Sequence, residues 1–103
     1  MTIRWSYKAQ KQQDQTANYI YQEFGEKAVE EFYREIDQIE TNLLAFPEMG
    51  KIEPLLTHKN RTYRSLVVRR LSKLVYTIES DHIRIHAFWD TRREPKRQTT
   101  HLS

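Results

Sequence analysis

Four histidines and a run of arginines and lysines are the residues in this chain whose types could do chemistry. His82 and His86 fall on one face of a strand at period two. Four residues at about 3.3 Å each set them roughly 13 Å apart. Two ligands of one zinc ion must lie much closer than that, since Zn–N bonds are near 2 Å. No metal and no cofactor is therefore expected. The basic residues are denser: Arg64, Arg69, Arg70 and Lys73 fall within ten positions, followed by Arg84, Arg92, Arg93, Lys96 and Arg97. Cleavage of RNA by its own 2′-hydroxyl needs cations to stabilise phosphate charge and a group to move protons. Arginine and lysine supply the first requirement. His86 on a strand and His101 near the C-terminus are the candidates for the second. There is no Gly-rich phosphate loop and no Gly-x-Ser-x-Gly elbow.

The elements that must position these groups follow from periodicity. Residues 3–7 alternate, with Ile3, Trp5 and Tyr7 on one face of a short strand. Ser6 is placed to cap a helix carrying Ala9, Gln13, Thr16/Ala17, Ile20/Tyr21 and Phe24 at helical spacing. Gly25 stands where that helix should end. A second helix carries Ala28/Val29, Phe32/Tyr33, Ile36, Ile39, Leu43/Leu44 and Phe46 on one stripe, with Glu30, Glu31, Arg34, Glu35, Asp37 and Glu40 opposite, and Pro47 stops it. The two helices read as an antiparallel hairpin.

Residues 47–60 read as a connector, and the pattern then turns to strand. Residues 62–70 hold Tyr63, Leu66, Val67 and Val68. In the next strand Leu74, Tyr76 and Ile78 share a face. Ser80-Asp81 is a tight turn, and Ile83, Ile85, Ala87 and Trp89 share the core face of the last strand. Lys73, Val75, Thr77, Arg84, His86 and Phe88 then take the other face. The class is α+β: an N-terminal strand, an antiparallel helix hairpin and a three-stranded C-terminal meander, with the helices packed on one face of an antiparallel sheet. One domain is expected over residues 1–96, with a polar tail at 97–103.

A single helical layer leaves the other sheet face open, so that face is expected to be a mixed basic and apolar groove for a macromolecule. Charge supports a two-sided molecule. The net +3 of the 103-residue chain divides into −4 over residues 1–50 and +7 over residues 51–103. There is no cysteine, which excludes a disulfide scaffold, a thiol nucleophile and a cysteine zinc site. No apolar run approaches the roughly 20 residues that cross a bilayer, and the N-terminus lacks a signal-like apolar region, so a soluble cytoplasmic protein with no membrane partner is expected.

Several motifs in order carry a resemblance: Trp5-Ser6, the helix hairpin, Pro47 to Gly50, Tyr63-Arg64, Lys73-Leu74-Val75-Tyr76, Ser80-Asp81, and Asp90-Thr91-Arg92-Arg93-Glu94-Pro95. Together they resemble the RelE/ParE superfamily of toxins from type II toxin–antitoxin modules, over residues 2–96. The resemblance implies a cognate antitoxin that covers the open face. It also implies one of two targets. RelE-like members cleave mRNA in the ribosome, and their site residues map to Arg64, Lys73 and Arg93, with His101 available for proton transfer. Leu66 stands where RelE has a second Lys, and Thr99 falls near its C-terminal Tyr. ParE-like members bind DNA gyrase. The ending Asp90-Thr91-Arg92-Arg93 favours that branch, with Arg69, Arg70, Lys73, Arg84, His86, Arg92 and Arg93 as contacts.

Overall fold

A computed structural model describes residues 1–56, 60–68 and 72–90, with Asp90 placed by its backbone alone. The chain runs β1 (Thr2–Trp5), α1 (Tyr7–Phe24), α2 (Glu26–Ala45), a 3₁₀ turn (Pro47–Met49), β2 (Lys51–Ile52), β3 (Arg64–Val68), β4 (Ser72–Ile78) and β5 (His82–Asp90). Ser6 caps α1 as its residue type requires, accepting from the Ala9 N–H at 3.0 Å. Gly25 closes α1 at φ 92° and donates its N–H to the Tyr21 carbonyl. That left-handed backbone suits glycine and turns the chain into α2.

The five strands lie in the order β1-β5-β4-β3-β2. The meander β3-β4-β5 is antiparallel, but β1 lies parallel to β5, so the sheet is mixed rather than wholly antiparallel. Parallel neighbours need a long crossover, and the helix hairpin and intervening strands provide it. The two-residue β2, inside the expected connector, extends the sheet beyond β3.

The core lies between the helices and one sheet face. Ala9, Ala17 and Ile20 of α1 and Phe32, Ile36 and Leu43 of α2 meet Val68, Leu74, Tyr76, Ile83, Ile85 and Phe88. Ile3 and Trp5 close one side, and the Trp5 indole N–H donates to Glu40 Oε2 at 2.7 Å.

One expectation about the faces is corrected. Val75 pairs with Ala87, whereas Tyr76 pairs with Ile85, so β5 carries His86 as an extra residue in a bulge. Side-chain parity inverts across it. Phe88, not Ala87 or Trp89, faces the core, where its ring lies 6.0 Å from Phe32 and 6.1 Å from Trp5. Ala87 and Trp89 turn to the open face, with Trp89 paired to Lys73. The start of α1 fastens the bulge: Ser6 Oγ donates to the His86 carbonyl at 3.3 Å, and Gln12 Oε1 accepts the Phe88 N–H at 2.9 Å.

Candidate functional site on the open sheet face

Alternation outward from the core defines the face away from the helices: Arg4 of β1, Arg84, Ala87 and Trp89 of β5, Lys73, Val75 and Thr77 of β4, and Ser65 and Val67 of β3. It is open only in part, since Ser65, Val75, Thr77 and Ala87 are buried while Arg4, Arg84 and Val67 are exposed. His86 joins them at the bulge. Two carboxylates organise the polar members. Glu53 follows β2 and takes Lys73 Nζ at 2.7 Å and Ser65 Oγ at 2.5 Å. Burial alone would raise the Glu53 pKa, but hydrogen bonds from Lys73 and Ser65 and the charges of Lys73 and Lys51 outweigh it and hold the group below its ordinary value.

Glu79 organises the second cluster. It accepts the Thr77 hydroxyl proton at 2.5 Å and lies 3.8 Å from Arg61. The hydrogen bond from Thr77 lowers its pKa first, with Arg61 assisting against the cost of burial. A hydroxyl has one proton to give, so Thr77 Oγ1 must accept at its 2.8 Å contact with His86 Nε2. His86 is thereby fixed as the neutral Nε2–H tautomer. Burial, then the positive charges of Arg84 and Arg61, push its pKa down to about 4. The Tyr63 ring packs edge-on against it at 5.1 Å. A group so held gives up its proton too readily to remain imidazolium at neutral pH, and its Nε2 is occupied.

Arg64 lies on the opposite face. It pairs with core-facing Tyr76, and its Nη1 donates to the carbonyls of Gly50 at 2.9 Å and Glu48 at 3.2 Å. Tyr76 completes the knot by donating to the Pro47 carbonyl at 2.6 Å and accepting the Gly50 N–H at 2.8 Å. Arg64 and Lys73 are therefore separated by the sheet and do not converge on one phosphate. Beyond the knot, Ala45, Phe46, Pro47, Glu48, Met49 and Ile78 line an open groove of about 690 Å³.

Of the site residues named from sequence, the structure brings Lys73, Arg84 and His86 onto one face and places Arg64 on the other. Arg69, Arg70, Arg92, Arg93 and His101 lie outside the described residues, as does the tail at 97–103. Sequence reasoning missed Glu53, Glu79, Thr77 and Arg61 as organisers of the face. Arg4 had a signal, since it alternates with Ile3 and Trp5. Glu53 had none, because an acidic residue in a connector has no period. Among the described residues no group of three His, Asp or Glu is arranged to hold a metal ion, and no helix is long and apolar enough to cross a membrane.

A family model described as the ParE toxin of the type II toxin–antitoxin system, parDE, matches residues 3–95. No curated protein matches the chain. Among solved structures, a chain from the chromosomal ParDE TA system of P. aeruginosa is similar, with a TM-score of 0.68 and 16% identity, covering 87% of this chain and 95% of its own. At that identity the likeness concerns the fold.

Proposed function

The chain belongs to the ParE toxin family of type II toxin–antitoxin systems, and from that membership we propose that it acts by binding a macromolecular target, DNA gyrase, rather than by cutting RNA. The observation that carries this reading is the separation of Arg64 from Lys73 by the sheet. A nuclease of the RelE kind needs its cations gathered on one phosphate beside a proton carrier. Here Arg64 is engaged with backbone carbonyls, Lys73 is held by Glu53, and His86 is neutral with its Nε2 given to Thr77. What this face offers instead, among the described residues, is exposed Arg4 and Arg84 and the apolar Val67 at 67% exposure, set around buried Val75 and Ala87. Such a surface suits recognition by contact.

A cognate antitoxin is the second partner in this reading. It would cover apolar surface that the fold leaves open, including Val67 and the Phe46–Met49–Ile78 groove.

The test is inducible expression of the chain without antitoxin, with RNA end-mapping and a gyrase supercoiling assay on the same cells. Growth arrest with intact mRNA and lost supercoiling is the expected result. New mRNA ends at ribosome-occupied codons would overturn the gyrase reading in favour of a ribosome-dependent endoribonuclease. Normal growth would identify a member that has lost toxicity.

A further inference from the structure

Two cations on the open face have carboxylates of their own: Lys73 has Glu53, and Arg61 has Glu79. Arg4 and Arg84 do not. The register pairs them directly across β1 and β5, on strands about 4.8 Å apart. Each lies between residues committed inward, Ile3 and Trp5 in one case and Ile83 and Ile85 in the other. Both guanidinium groups are therefore sent outward side by side, and both residues are exposed. Neither makes an ion pair or hydrogen bond with a described residue. Asp81 feels Arg4 only through space, its Oδ1 being 2.7 Å from His82 Nδ1.

Like charges directly opposite on a sheet are destabilising. Among the described residues of this face Lys51, opposite Ser65, also lacks an ion pair, although it acts on Glu53 through its charge. Arg4 and Arg84 are set directly opposite each other with no carboxylate bonded to either, and such departures mark sites kept for an external partner. We propose that Arg4 and Arg84 form a carboxylate clamp, a site for an Asp or Glu side chain presented by a partner protein. Two adjacent guanidinium forks can each give paired N–H donors to one carboxylate. The inference rests on the reading that this toxin works through protein partners, and it adds the place on the open face where an acidic one engages.

The boundaries of the patch favour a protein carboxylate over a nucleic acid. Asp81 lies within electrostatic reach of Arg4. On the other side Thr77, which pairs with Arg84, carries Glu79. A polyphosphate strand places a charge at every nucleotide and would run onto these carboxylates. A single carboxylate fits between them. The field at the site also has a reporter, because Arg84 is one of the charges holding down the neighbouring His86 pKa.

The test uses the full chain, isotopically labelled, at low salt, with two probes: a twelve-residue Glu-rich peptide and a twelve-nucleotide single strand. The peptide is expected to shift the arginine Nε–H signals of Arg4 and Arg84 and to raise the His86 pKa. Arg4→Gln and Arg84→Gln should each weaken peptide binding about tenfold, while Arg84→Lys, which keeps the charge and loses the fork, falls between. Relief of the like-charge contact should also raise the melting temperature of the free Arg84→Gln chain by about 2–4 °C. Peptide affinity unchanged in both variants, or absent in the parent, would overturn the clamp. Tighter binding of the oligonucleotide through the same two arginines would overturn the carboxylate assignment. Toxicity on expression is scored separately, so a clamp that fails in a chain that still arrests growth is distinguishable from failure of the toxin reading itself.

Discussion

Replacing Gly50 by Ala probes the knot that ties Arg64 to the connector and borders the Phe46–Met49 groove. Gly50 has φ −75° and ψ 150°, a backbone open to any residue, so the requirement for glycine is one of space. A Cβ there would stand 2.6 Å from Tyr76 Oη, 2.7 Å from Tyr76 Cε1 and 2.9 Å from the Ser65 carbonyl oxygen. Tyr76 is fully buried and the Ser65 oxygen belongs to the sheet backbone, so neither can yield cheaply. The connector must move, which weakens the bonds from Tyr76 to Pro47, from Gly50 to Tyr76 and from Arg64 to Gly50. Overpacking of this kind costs about 1–3 kcal/mol, and each hydrogen bond lost adds about 1 kcal/mol. The lower unfolded-state entropy of Ala returns less than about 1 kcal/mol. The net loss is about 2–3 kcal/mol, a fall of roughly 10–20 °C in the melting temperature of a domain this size. Thermal melts followed by circular dichroism read it directly. Tyr76→Phe should cost about 1–3 kcal/mol, and the double variant should lose less than the sum of the two singles, because one of the three close contacts is gone. A Gly50→Ala chain melting within about 2 °C of its parent would refute the steric reasoning.

Further outcomes are expected from other sites. The pKa of Glu53 is held below its ordinary value near 4.5, so its contribution to stability is complete above that value and is lost as pH falls below it; Glu53→Gln should remove this loss in urea melts between pH 5 and pH 3 while costing about 1–2 kcal/mol at pH 7, less than a fully buried pair would. His86 behaves in the same sense for a different reason. With a folded pKa of about 4 against an ordinary 6.5, it penalises folding progressively as pH falls from 6.5 toward 4, by about 2–3 kcal/mol, and His86→Gln should flatten that slope. NMR titration of the imidazole checks the pKa itself, and midpoint protonation near pH 6.5 would contradict the burial argument. Trp5→Phe leaves the Glu40 carboxylate without its indole donor and should cost about 1 kcal/mol in a chemical melt. Deleting His86 removes the extra residue, so Ile85, Ala87 and Phe88 alternate regularly and Phe88 keeps its place in the core opposite Leu74. The variant should keep a cooperative melt and lose only about 1–2 kcal/mol with the contacts of His86, whereas loss of the cooperative transition would show that His86 is not the residue that inverts the parity.

Periodicity and termination signals made much of this fold legible. Ser6, Gly25 and Pro47 bound the helices because each acts on the backbone beside it. The stripe through Phe32, Ile36 and Leu43 needs no tertiary information either. The bulge was illegible for an equally physical reason. From Arg84 to Trp89 the sequence is apolar enough on both parities to fill either face, and strict alternation favours Ala87 and Trp89 inward. The choice is made by partners distant in sequence: Phe32 and Trp5 receive the Phe88 ring, and Ser6 and Gln12 occupy the backbone groups that the bulge frees. The parallel pairing of β1 had the same character, since alternation fixes which side chains share a face and leaves strand direction open.

The separation of Arg64 from Lys73 connects this register to function. Partners across β3 and β4 are both even-numbered or both odd-numbered, so even-numbered Arg64 and odd-numbered Lys73 must fall on opposite faces. Residue type and nearness in sequence place both in one basic cluster; strand parity divides that cluster into a structural half and an exposed half. Arg64 joins Tyr76 in tying down the connector. That tie ends in Gly50, one residue before β2, and β2 is followed at once by Glu53, whose carboxylate reaches Lys73 on the other face. The two basic residues are thus joined through one short connector although the sheet stands between them. A surface assembled in this way holds its charges to fixed positions, with Lys73 set by Glu53 on one face and Arg64 engaged with backbone carbonyls on the other.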